Sequence, residues 1–419
     1  AQAVAAPAVV NGRLEKPGDV DVFSVAVKKG ETLIASVDAY RSLRSPMDAV
    51  LQVLSADGFV LDQNNDWHGL DPQVAFTAPK DGTYLVRLFA FPAVPDASIR
   101  LAGAETFVYR LTLTTGGFAD YAAPLAVERK PDARVTVHGW NIPAEAQTLP
   151  VTAAGDRATV FHPRLANVLR VRIEDHPCWD ADRNRPTGPL QPPFSVTGRL
   201  ERPGATGTVT VAAKKGQPLH VRAESRDLGL PVNPVVRVLD GAGKQLARAE
   251  PPKINTDVEL AFNPPADGTY KVEVEDLHAS GGPRFVYRLR VTPPEPGFNL
   301  TVTNDRFALD PAKPLDIPVT VARRDGFTGE VEVAAEGLPA GVSAAVVPPP
   351  GKGEAKTVTL RLTGDTPGPP GPFRIVGRAK GQPGIAHAAR APVLEFDSTT
   401  PDLWLAVGGK VPPPPKKNR

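Results

Sequence analysis

Among 419 residues there is one cysteine, Cys178, and one methionine. A lone cysteine excludes an internal disulfide, so no disulfide framework staples this chain, and the redox compartment stays open. No run of about 18 apolar residues occurs, so no segment reads as a membrane-spanning helix. An excess of one charge is missing too: 48 Lys and Arg stand interspersed with 46 Asp and Glu, a net charge of +2. Without a basic stripe, no nucleic-acid partner is expected. Enzyme signatures are equally scarce: the seven histidines form no HExxH, and there is no GxSxG, P-loop or GxGxxG. Nor is there a long amphipathic helix, because proline-free stretches alternate with period two instead of repeating every three to four residues.

What the chain does have is 47 prolines, 37 glycines and 41% hydrophobic residues. A polar chain with so much Pro and Gly would be disordered, but regular alternation of apolar residues points to β-structure with many turns. The length implies two to four domains. An internal repeat gives the division. "NGRLEKPGD" at 11–19 returns as "TGRLERPGA" at 197–205, "KKG" at 28–30 returns at 214–216, and "PKDGTYLVRL" at 79–88 returns as "PADGTYKVEV" at 265–274. The offset is constant: 198 − 12, 214 − 28 and 267 − 81 all equal 186. "FVYRL" closes both copies, at 107–111 and 285–289, where the offset drops to 178 and the second copy has a shorter preceding loop. So long a period means tandem domains, not solenoid units.

Within each copy, strands such as "DVDVFSVAV", with Phe23, Val25 and Val27 on one face, alternate with turns at "KKGE", "DG" and "KDGT". Seven or eight such strands imply an antiparallel sandwich. The expected fold is therefore all-β, with sandwiches at 1–116 and 191–296 and a small β-module with a polar, Pro-containing linker at 117–190. An Ig-like sandwich is expected at 297–396 and a solvated Pro-rich tail at 397–419. The opening "AQAVAAPAVV" is expected to be a processed end or a boundary within a longer chain.

The series "NGRLEKPGDVDVF", "KKGETL", "SPMDAVLQVLSADG" and "FTAPKDGTYLVRL" resembles the bacterial pre-peptidase C-terminal domain, well over 8–115 and in degenerate form over 194–293, where the acidic positions are lost. The flanking segments resemble, by arrangement, companions of such domains in large secreted planctomycete-type proteins. The resemblance implies jelly-roll-like sandwiches, export to the cell surface, periplasm or medium, and a non-catalytic role in adhesion, targeting or spacing. Its alternative implication is a C-terminal accessory region of a secreted hydrolase or peptidase that binds its polymeric substrate, glycan or protein. Some relatives bind calcium.

Calcium takes six to eight oxygen ligands from flexible loops. The first copy offers Asp19 and Asp21 at a strand start, Asp48, and the acid-amide loop 61–71 with Asp62, Asn64, Asn65, Asp66 and Asp71; at the strand start the second copy has Ala205 and Gly207. Asp21 shares a strand face with Phe23, so its inward carboxylate needs hydrogen bonds or a cation. Two readings remain: a calcium cluster kept only in the first copy, or carboxylates that cap turn amides. "DADRN" at 180–184 imitates a calcium-hand loop but carries Arg185 where that loop needs glycine. "EDHPCWD", with Asp175, His176, Cys178 and Asp180, reads as a solvated linker, since a catalytic Cys and His normally come from separate segments. Trp67, in the acidic loop, is the candidate ligand-binding aromatic, with a core or junction anchor as its alternative, the reading given to Trp140, Trp179 and Trp404. Tyr84 and Tyr270, in the two "DGTY" runs, read as core or corner residues.

Overall fold

A computed structural model describes residues 1–94, 100–152, 155–184, 186–253, 255–348, 356–364, 368–393 and 398–408. Residues 1–293 form one compact unit and 294–419 a second. Both are built from β-sheets, as the period-two pattern requires.

In the first repeat, one sheet orders its strands Gln2–Ala3, Asp21–Val27, Gly82–Pro92, Met47–Leu54 and Val60–Asn64; the other orders Ala8–Arg13, Val108–Thr114, Thr32–Asp38 and Gln73–Thr77. Alternate residues from both sheets, among them Phe23, Val25, Leu33, Leu51, Val86 and Leu111, meet in a buried core. The second repeat follows the same order. Its sheets run Thr206–Ala213, Gly268–Asp276, Pro234–Leu239, Gln245–Ala249, and Phe194–Arg199, Val286–Thr292, Leu219–Glu224, Val258–Phe262. The turns match atom for atom. Tyr84 donates its hydroxyl to the Lys80 carbonyl (2.9 Å) and Tyr270 to that of Ala266 (2.7 Å). Asp81 accepts from the Lys29 N–H (2.7 Å) and Asp267 from that of Lys215 (2.8 Å).

Between the repeats, two three-stranded sheets, Phe118–Ala123, Arg134–Trp140, Thr148–Pro150 and Ala126–Glu128, Leu169–Glu174, Arg157–Val160, enclose Val135, Val137, Leu149, Val171 and Ile173. The linker expected after this module is corrected. Cys178–Asp180 is a strand, parallel to Phe194–Arg199 at the edge of the second repeat's sheet, and His176 is buried. A three-residue strand between a proline and a turn carries no alternation to read, yet its backbone completes a sheet edge. Arg185 lies outside the described residues.

The second unit is a sandwich. Gly297–Thr301, Leu315–Arg324, Thr357–Gly364 and Val342–Val347 face Arg306–Leu309, Leu403–Val407, Gly368–Ala379 and Val331–Glu336 across a core containing Phe298, Ile317, Leu360 and Phe373. The tail boundary at 397 is also corrected: Leu403–Val407 pairs with both Arg306–Leu309 and Gly368–Ala379, and Leu403 and Leu405 are core residues. Residues 409–419 of the expected tail lie outside the described residues.

Candidate functional site

At its strand start, the first repeat uses its two acids locally. Asp19 accepts from the Glu15 N–H (2.7 Å) and from the Val20 N–H (3.0 Å), a turn cap. Asp21 accepts the Tyr109 hydroxyl at 2.5 Å. Burial raises the Asp21 pKa, and the tyrosine's hydrogen bond offsets part of that rise. The second repeat solves the same position without acid. A Cβ at Gly207 would stand 1.8 Å from the Tyr287 hydroxyl, so the tyrosine occupies the space a side chain would need. Gly12 and Gly198 make the matching close approach, with a Cβ 2.3 and 2.4 Å from the two tyrosine hydroxyls, respectively.

The acid-amide loop is likewise committed to its own backbone. Asp71, buried, accepts from the N–H groups of Ala39 (3.2 Å), Tyr40 (2.7 Å) and Arg41 (3.0 Å). At offset 186, Asp257 accepts from Ser225 (2.8 Å), Arg226 (2.8 Å) and Asp227 (3.1 Å). The second copy therefore keeps this acid, which marks it as a loop tie. Asn64 accepts from the Gln73 N–H (3.2 Å), Asp62 from the Gln63 N–H (2.8 Å), and Asn65 donates to Asp66 (2.8 Å). Asp48 and Asp66 are near enough to interact: burial, then the Asp66 charge, raises the Asp48 pKa to about 6. Asp19, Asp21, Asp62, Asn64, Asn65, Asp66 and Asp71 thus each have a hydrogen-bond partner within the first repeat. Among the described residues, no three His, Cys, Asp or Glu side chains are arranged to hold a metal ion.

Trp67 is corrected from a free binding surface to a junction anchor. Its indole N–H donates to Asp120 of the middle module (3.1 Å), its ring lies 5.5 Å from that of Trp140, and the Arg284 guanidinium of the second repeat stacks over it at 4.1 Å. Arg284 also donates to Asp120 (2.6 and 3.2 Å) and to the Trp67 carbonyl (3.2 Å). His68 bonds the Gly229 carbonyl through Nδ1 (2.8 Å), and burial lowers its pKa. Asp120 is buried, so three modules converge on one carboxylate. Apolar packing of Tyr121, Ala123, Leu125, Leu230 and Val286 extends the same junction.

Residues 19–90 match the family model of the bacterial pre-peptidase C-terminal domain. Over 73 residues the chain is 37% identical to a probable subtilase-type serine protease of Deinococcus radiodurans, a match spanning 17% of this chain and 10% of the protease. The chain thus covers about a tenth of that relative. Among solved structures, the pre-peptidase C-terminal domain of a Bacillus anthracis collagenase aligns with 27% of this chain and 93% of its own, at 15% identity and a TM-score of 0.21. A Clostridium perfringens ZmpB structure, comprising the M60 catalytic domain with two CBM51 domains, aligns with 93% of this chain and 39% of its own, at 10% identity and a TM-score of 0.25.

The pre-peptidase C-terminal domain is a non-catalytic accessory domain. Burial pushes the Cys178 thiol up to about 12, which favours the protonated form at neutral pH. Its Sγ reaches the His176 carbonyl (3.6 Å), while the His176 ring meets Ser195 Oγ (3.1 Å). Asp175 pairs with Arg129 (2.6 Å), and Asp180 accepts from the Asp182 N–H (3.1 Å). Beside them Arg288 bridges Glu174 of the middle module and Glu224 of the second repeat, a charge network that ties these two modules. Asp120 and Arg284 carried no local signal in the sequence; Asp257 did, through the repeat offset.

Proposed function

We propose that the chain is a non-catalytic accessory region of an exported protein, serving adhesion, targeting or spacing at the cell surface. The observation that carries this reading is the Trp67–Asp120–Arg284 junction, which holds the loops of three modules in one fixed relation. Binding through loops on rigid sandwiches needs such fixity. A second reading, an accessory region that brings a secreted peptidase to its polymeric substrate, is favoured by the likeness to part of the subtilase-type protease.

Co-sedimentation of the chain with insoluble cell walls, chitin and collagen tests both. Retention on a polymer without release of soluble product is expected. Retention on none of them overturns the targeting role. Product release that disappears in Cys178→Ala or His176→Ala overturns the non-catalytic one.

A further inference from the structure

One sheet edge is closed in the first repeat and, among the described residues, open in the second. In the first, Gln2–Ala3 lies parallel to Asp21–Val27, with Gln2 opposite Phe23 and Ala3 opposite Ser24, and the Val4 N–H donates to the Ser24 carbonyl (2.9 Å). At offset 186, Leu190 stands for Val4 and does the same: its N–H donates to the Thr210 carbonyl (2.8 Å), and its carbonyl accepts from Ala212 (2.9 Å). There the resemblance ends. Gly188 and Pro189, which stand for Gln2 and Ala3, form no strand against 206–210. Between residues 186–189 and 206–210 opens a cleft of about 650 Å³.

The direction of the free backbone groups follows from the ladder. Successive residues of a strand point their N–H and C=O to opposite edges. Thr210 and Ala212 face Leu190, so Thr206 and Thr208 present theirs to the same side, toward the cleft. An uncovered row of this kind is a template for a further strand.

We propose that this edge of the second repeat binds a short, extended peptide as an added parallel strand. The preferred occupant has small, uncharged side chains, like the Ala-Gln-Ala-Val that fills the first repeat's edge. Arg199 and Asp182 form an ion pair in the cleft wall (2.7 Å), which leaves little net charge there to attract a charged segment. Peptide capture stands apart from polymer targeting, and each can fail while the other holds.

The test uses the full chain and a fluorescent peptide, Ala-Gln-Ala-Val-Ala-Ala, in a polarisation titration. Saturable binding is expected, weakened about tenfold or more when alternate peptide nitrogens are methylated, since side chains are kept and strand bonds lost. Thr208→Pro removes one outward N–H while leaving the bonds to Gly268–Asp276, a substitution edge strands tolerate, and should weaken binding similarly without lowering the Tm. If that variant fails to fold, the methylated peptide on the unaltered chain decides. Equal binding of the methylated peptide, no binding at all, or displacement by soluble oligosaccharide each overturns the proposal.

Discussion

At the start of the Asp21 strand, the first repeat sets a carboxylate against Tyr109; at the matching Gly207, the second leaves that space to the hydroxyl of Tyr287. At the loop tie the two repeats agree, Asp71 and Asp257 each gathering three backbone N–H groups. The copies thus differ at Asp19 and Asp21, replaced by Ala205 and Gly207, and agree at the acid that ties three backbone N–H groups of a distant loop. The hydrogen bonds of each carboxylate mark Asp71 and Asp257 as a retained tie and Asp21 as a replaceable contact.

The junction is where the comparison can be broken hardest. Asp120→Ala would leave the half-buried Arg284 guanidinium and the Trp67 indole N–H without their shared acceptor, and urea unfolding should show a loss of about 3–5 kcal/mol. A loss below about 1 kcal/mol would mean that the modules hold together without this carboxylate. Next come the ties. Asp71→Ala and Asp257→Ala should each cost about 2–3 kcal/mol, and a neutral result for Asp71 with a costly one for Asp257 would split the copies.

Exchanging the differing position sharpens the contrast. Gly207→Asp should destabilise by about 1–3 kcal/mol through collision with Tyr287, while Asp21→Gly should cost about 1 kcal/mol or less in Tm-derived stability. The Asp48 carboxyl binds its proton more tightly in the folded chain than in the unfolded one, its pKa being about 6 against 3.8. Its contribution is therefore greatest below the unfolded value and declines as pH rises through the folded one. Asp48→Asn should remove that decline and add about 1 kcal/mol at pH 7, read from denaturation at pH 4 and pH 7. Smallest of all is calcium: millimolar calcium against chelator should leave the Tm unchanged, and a clear rise would restore a metal reading for the first repeat.

The repeat offset made most of the fold legible, because equal spacing of turns forces equal strand lengths and hence the same sheet order. It also held the role of Asp71, since Asp257 stands 186 residues on, although in the first copy that acid sits in a stretch dense with others. Leu403, Leu405 and Val407 alternate as a strand should, yet lie just beyond Pro401 in a stretch read as tail. The Trp67–Arg284 stacking joins residues 217 positions apart, and nothing local in either segment encodes its partner. Cys178–Asp180 is too short to show any period at all.

The single carboxylate shared by Trp67 and Arg284 sets the size of the piece that can be moved between proteins. A gene fragment ending near residue 116 would carry Trp67 away from Asp120 and Arg284 and expose an indole and a histidine shaped for partners left behind. Recombination that shuffles modules one at a time would meet this cost at every cut within the first 293 residues. The heritable cassette here is the block of three, and swaps should succeed at Pro293 where they fail at residue 116.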